Sequence, residues 1–103
     1  MTGTRFEILK SMVAQDPGNN MARYGLAMEY KNQGDFARSV EEFRALLAVN
    51  PDYAAAYFHG GQALEKAGHL DEAREMYERG IEATTRIGDM HTRSELQAAL
   101  DLL

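Results

Sequence analysis

Residues 20–53 read NMARYGLAMEYKNQGDFARSVEEFRALLAVNPDY, and residues 54–87 read AAAYFHGGQALEKAGHLDEAREMYERGIEATTRI. At an offset of 34, the large apolar, small and glycine positions of the two stretches mostly fall in step, although few residues are identical. In the first, Tyr24, Leu26, Ala27, Tyr30, Gly34, Phe36, Ser39, Phe43 and Leu46 lead up to Pro51. In the second, Phe58, Gly60, Gly61, Leu64, Gly68, Leu70, Ala73, Tyr77 and Gly80 take the corresponding places. A fixed period of this size, within the range of about 20–50 residues, points to stacked units, none of which can bury its apolar face alone.

The two prolines, Pro17 and Pro51, are themselves 34 apart. Each follows an apolar helical pattern: Leu9, Met12, Val13 and Ala14 before Asp16-Pro17, and Phe43, Leu46, Leu47 and Ala48 before Asn50-Pro51. Proline disfavours helical backbone in the residue before it, so these helices are predicted to stop near Gln15 and Val49. Gly34 and Gly68 interrupt the periodicity at the middle of each repeat, as a residue closing a helix in left-handed backbone does. Acidic residues at Asp35 and Asp71 suit the positive end of the helix that follows. Gly88 ends a further helix, and Asp89 is a suitable N-cap for the last one.

Six helices are expected, over 3–15, 19–33, 36–49, 53–67, 70–86 and 89–102. β-branched residues are few and alternation is not sustained, so strands are not expected. The fold class is therefore all-α, a right-handed superhelix of antiparallel helix pairs. One domain spans 1–103, with a half repeat at 2–16, repeats at 20–53 and 54–87, and a capping helix at 89–102. Leu96, Ala99, Leu100 and Leu103 give that last helix the apolar stripe needed to cover the end of a stack.

Composition narrows the function classes. The chain has 103 residues, 45% of them apolar and 26% charged, which is the make-up of a globular domain and not of a disordered tail. Eleven basic and sixteen acidic residues give a net charge of −5, and the basic ones are scattered, so no stripe for nucleic acid is present. Cysteine is absent, which excludes disulfides and thiolate metal sites. No apolar run approaches the ~20 residues that cross a bilayer, so no membrane association is expected. The stretch from Met1 to Val13 carries Arg5, Glu7 and Lys10 in place of an unbroken signal segment, which makes a cytoplasmic setting the expectation.

The pattern resembles the tetratricopeptide repeat family. Leu26-Ala27, Tyr30, Gly34, Ser39, Phe43 and Pro51 carry the resemblance in one repeat, and Tyr57, Gly61, Leu64, Gly68, Ala73 and Tyr77 in the other. The resemblance implies helix–turn–helix units whose first helices line a concave groove, and a protein–protein interaction scaffold that holds a peptide segment there. Carried onto this chain, the groove-facing candidates are Met21, Tyr24, Met28, Asn32, Ala55, Phe58, His59, Gln62 and Lys66, with Arg93 from the cap, and Tyr24, Met28, Phe58, His59, Gln62 and Arg93 are the six singled out. The alternative for the aromatics and Met28 is packing against a neighbouring repeat. One subgroup grips a terminal carboxylate with Lys, Asn and Arg, and here only Arg93 stands at a matching place, so that role is disfavoured.

Three departures stand out: Arg23 replaces a bulky apolar residue, Gly60 a leucine and Thr85 a proline. Around Gly60, either Tyr57 or Met76 fills the missing volume, or Gly60 and Gly61 leave a dimple for a ligand side chain. Ala27, Gly61, Ser39 and Ala73 are expected to be buried where paired helices approach closely.

No catalytic order of Ser, His and Asp, phosphate loop or paired-His motif occurs, so neither an enzyme nor a cofactor is expected. His91 and Glu95, four apart, are too few for a metal site, and His69 is expected in a solvated turn. His59 is the histidine best placed to hydrogen-bond a ligand. Glu41, Glu42, Glu72, Glu75 and Glu78, interleaved with Arg38, Arg44, Arg74 and Arg79, read as a solvated outer face with helix-spaced ion pairs. The expected partner is a protein or peptide. The alternative is self-association as a homodimer through Leu100, Leu102 and Leu103.

Overall fold

A computed structural model describes residues 3–103, so Thr2 of the expected half repeat lies outside the described residues. Six helices follow in order: α1 Arg5–Gln15, α2 Asn20–Asn32, α3 Phe36–Val49, α4 Ala54–Lys66, α5 Leu70–Ile87 and α6 Met90–Asp101. No strand occurs among the described residues. The architecture is the all-α helical-repeat superhelix expected. Consecutive helices pack in sequence, and α2 also touches α4, as α4 touches α6. The result is an elongated body of 46 × 29 × 19 Å.

Local chemistry sets the helix ends. Thr4, Asn19, Asp35 and Asp89 each accept, through their side chains, a backbone N–H from the first turn of the helix that follows. Such caps satisfy donors that no helix can satisfy internally. The cap at Thr4 is why α1 starts at Arg5 and not at residue 3. Gly34, Gly68 and Gly88 all take left-handed backbone, with φ of 82°, 83° and 77°. At the position where proline was missing, α5 continues: Thr85 donates its hydroxyl to the Ile81 carbonyl, and the helix runs to Ile87 before Gly88 closes it.

Two apolar clusters form. The smaller one joins α1 to α2 through Leu9, Ala22, Leu26 and Tyr30, with the Phe6 ring edge-on to Tyr30 at 5.2 Å. The larger runs from Ala27 through Phe43, Leu46, Tyr57, Met76 and Tyr77 to Leu96. Ala27, Ser39 and Ala73 are fully buried, and Gly61 is buried with them. The Ser39 hydroxyl donates to the Ala27 carbonyl at 2.8 Å, so α2 and α3 meet nearly backbone to backbone.

There is no dimple at Gly60 and Gly61. A Cβ on Gly60 would lie 3.5 Å from both Met76 Cε and Phe43 Cβ, while a Cβ on Gly61 would stand 2.1 Å from Tyr77 Cε1. Met76 and the Tyr77 ring have moved into the volume that the two glycines vacate.

The charged residues also differ from expectation. Most ion pairs cross between helices and are not helix-spaced. Arg5 meets Glu29 at 3.1 Å, Arg44 meets Glu72 at 3.0 Å and Arg86 meets Asp52 at 2.6 Å, whereas Arg38 with Asp35 is a local pair. Glu42 is not on a solvated face. It binds Arg23 at 2.8 Å, with the two side chains only 21% and 16% exposed. Arg23 also donates to the Pro17 carbonyl at 3.2 Å. A guanidinium so placed fills the volume of the apolar side chain it replaces and satisfies its polar end by bonds to α3 and the preceding turn.

Candidate functional site

Helices α2, α4 and α6 are the first helices of consecutive units and lie side by side, so one face of each contributes to a shared surface. Between α2 and α4 that surface is occupied by the protein's own contacts. The Tyr24 ring lies 5.2 Å from Tyr53 and 6.1 Å from both Phe43 and His59. His59 in turn meets Phe58 edge-on at 5.3 Å. Lys31 reaches from α2 to α4, where its ammonium donates to Gln62 Oε1 at 2.6 Å and lies 3.1 Å from His59 Nδ1. With His59 neutral, Nδ1 accepts and the ring hydrogen sits on Nε2.

Electrostatics follow from this closure. Burial first, and then the Lys31 cation, hold the His59 imidazole below its ordinary value of 6.5. Burial and the neighbouring Lys66 lower Lys31 in the same way. Burial raises Tyr24, with Tyr53 adding to the effect.

Between α4 and α6 the surface opens into a cavity of about 370 Å³. Phe58, Gln62 and Glu65 line it from α4. Glu95, Ala98, Ala99 and Leu102 form the α6 side, and Tyr77 of α5 reaches its floor. The Tyr77 hydroxyl donates to Glu65 Oε2, and burial together with that carboxylate raises the phenol well above its usual range. Leu102 is 87% exposed at the rim, whereas Leu100 and Leu103 pack against the core.

Of the six groove candidates, Phe58 and Gln62 line the cavity, and Tyr24 and His59 join them through the aromatic and Lys31 contacts. Met28 is half-buried and packs against the main core. Arg93 is placed elsewhere: its Nε donates to Thr85 Oγ1 at 2.8 Å, which turns it toward α5. Glu95 takes the position on the α6 side of the cavity.

Sequence reasoning missed Lys31, Glu65, Glu95, Ala98 and Leu102. The signal was present in the spacing, because 58, 62 and 65 share one helix face, as do 95, 98, 99 and 102. His69 is exposed, and His91 Nε2 lies 3.7 Å from Glu95 on an exposed stretch of α6. Among the described residues no three His, Asp or Glu side chains gather as metal ligands, and no helix is long and apolar enough to cross a membrane.

A family model described as tetratricopeptide repeat matches residues 24–86. A TPR repeat-containing protein of Pseudomonas aeruginosa is 31% identical over 94 residues, which are 91% of this chain and 90% of that one. The solution structure of a protein from Bordetella parapertussis superposes with a TM-score of 0.83 at 30% identity, covering 97% of this chain and 87% of that one. PcrH, solved in complex with the chaperone-binding region of PopD, gives a TM-score of 0.88 at 13% identity, over 94% of this chain and 74% of that one. The last likeness is one of fold.

Proposed function

The chain belongs to the tetratricopeptide repeat family, and from that premise we propose that it is a non-catalytic interaction module whose concave surface holds a peptide segment of a partner protein. The observation that carries this reading is the cavity between α4 and α6, whose half-buried Phe58 stands ready to pack a partner's side chain. A volume of about 370 Å³ falls within the ~300–1,000 Å³ typical of ligand sites. Aromatic anchors in such pockets carry a large share of binding energy, about 2 kcal/mol or more each.

In this reading Phe58 and Gln62 are the contact positions, and Tyr24, Met28 and His59 form the wall beside them. Arg93, bonded to Thr85, contributes only at the edge. A single domain over 1–103 and a cytoplasmic setting belong to the same proposal. PcrH, a protein of the same fold, has been solved with a segment of PopD, so the fold is able to hold such a segment. At 13% identity that partner is not carried over to this chain.

The test is a pull-down from native lysate followed by binding measurements on Phe58→Ala and Tyr24→Ala, with circular dichroism as the folding control. Phe58→Ala should bind at least tenfold more weakly, corresponding to ~2 kcal/mol. A folded Phe58→Ala that binds as tightly as the parent would move the interface off this surface. A second reading, self-association through the terminal helix, is favoured by the exposure of Leu102 alone. A dimer seen by light scattering that dissociates in Leu102→Ser would establish it.

A further inference from the structure

We propose that the α4–α6 cavity selects a partner segment in which a basic residue, Lys or Arg, adjoins an apolar anchor. This rests on the groove reading above and names the chemistry of its occupant. Among the described residues the charged side chains lining the cavity are Glu65 and Glu95, one from each wall, with no cation beside them in the lining. Between them lie Phe58, Ala98, Ala99 and the exposed Leu102, an apolar bed for one aliphatic or aromatic side chain.

The nearby ammonium of Lys31 is turned to Gln62 and His59 on the α2 side and is not itself part of the cavity lining. Arg93, the cation that sequence placed on the concave surface, is bonded to Thr85. The carboxylates are not fully spent on internal bonds. Glu65 accepts the Tyr77 hydroxyl through Oε2, which leaves Oε1 to accept another donor. Glu95 has His91 as its near neighbour, 3.7 Å away, and its side chain is 48% exposed.

Charge complementarity therefore favours a cationic segment, and it disfavours a second copy of this chain, which carries a net charge of −5. An acidic tail is disfavoured on the same ground, since it would bring like charges against Glu65 and Glu95 at a partly desolvated site.

The experiment is selection of a phage-displayed library of random linear peptides on the intact chain. Selected peptides are then measured by fluorescence anisotropy against the parent, Glu95→Gln and Glu65→Gln, and located by NMR shift mapping. Peptides carrying Lys or Arg within a few positions of Leu, Phe or Met should be enriched, and their shifts should centre on α4 and α6. Each Glu→Gln variant should weaken them about tenfold, and added salt should weaken them further. Glu95→Gln is the safer variant, because Glu65→Gln also changes the acceptor for Tyr77.

Peptides that map to the cavity yet are acidic, or that bind both variants as tightly as the parent, would overturn the cationic assignment and leave the groove reading intact. Peptides that map to another face, or a selection that enriches nothing, would overturn both. Concentration-dependent dimerisation abolished by Leu102→Ser would also overturn the assignment, with a second copy as the occupant.

Discussion

Gly60 and Gly61 are neighbours in the middle of α4, yet the same substitution should have opposite effects at the two positions. At Gly60 a methyl group meets Met76 Cε and Phe43 Cβ at 3.5 Å and Met76 Cγ at 3.7 Å, which are ordinary contact distances. Gly60→Ala then gains the helix propensity that glycine forfeits, about 0.5–1 kcal/mol, and adds a little apolar contact. At Gly61 the methyl would stand 2.1, 2.6 and 2.7 Å from three atoms of the Tyr77 ring. That ring cannot swing away freely, because Tyr77 is fully buried and its hydroxyl is held by Glu65.

Helices α4 and α5 would have to separate, and overpacking of this kind costs ~1–3 kcal/mol. With the clash this close the upper end applies, and the propensity gain of about 1 kcal/mol offsets only part of it. The expected net is about −2 kcal/mol at Gly61 against a gain at Gly60, a difference of ~3 kcal/mol between adjacent sites. In a domain of this size each kcal/mol moves the melting midpoint by ~4–8 °C. Thermal melts by circular dichroism should therefore place Gly60→Ala a few degrees above the parent and Gly61→Ala roughly ten degrees below it. A Gly61→Ala protein as stable as the parent would show that Tyr77 does not lie against the α4 backbone. A destabilised Gly60→Ala would show the same of the space beside Met76.

Ala27→Leu should cost ~1–3 kcal/mol in urea unfolding, because Ala27 is fully buried and its carbonyl takes the Ser39 hydroxyl; an unchanged midpoint would refute the α2–α3 contact. Removing residues 89–103 takes Leu96 off Gly80 and uncovers the α5 side of the core, so the truncated chain should aggregate or lose cooperativity in size-exclusion and melting measurements. His59 gives a pH dependence with a definite sign. Its folded-state pKa lies below 6.5, so the unfolded chain binds more protons, and stability present above about pH 6.5 is lost as pH falls through the folded value. Urea midpoints taken between about pH 7.5 and 5 should show that slope in the parent and a flatter one in His59→Gln.

The helical frame was legible because it depends on residues that act locally. Pro17, Pro51, Gly34, Gly68 and Gly88 fix where helices stop, and Asp35 and Asp89 fix where two of them start. The burial of Ala27, Ser39, Gly61 and Ala73 was legible for a related reason, since the same small positions recur at the repeat period. The partners of Arg23, Arg44 and Arg86 were not, because those contacts join residues 19, 28 and 34 positions apart and no helix period connects them. The partner of Arg93 was not legible for the same kind of reason. Its place in the helix put it near the groove, but the hydroxyl of Thr85, at the end of a helix that proline had not shortened, draws it away.

That difference between local and long-range determinants also explains why the surface is uneven. Repeats built to one period would present equivalent grooves between α2 and α4 and between α4 and α6. The side chains break that equivalence. Lys31 crosses to His59 and Gln62, and Tyr24 crosses to Tyr53 and His59, so a ligand entering the α2–α4 side must displace charge-assisted and aromatic contacts that already satisfy one another. On the α4–α6 side the lining opposite α4 includes the short side chains of Ala98 and Ala99, and the space stays open. The cost of displacement falls on one half of the groove and not on the other. On the reading proposed above, small residues on the last helix, more than the aromatics on the first, set where a partner segment enters.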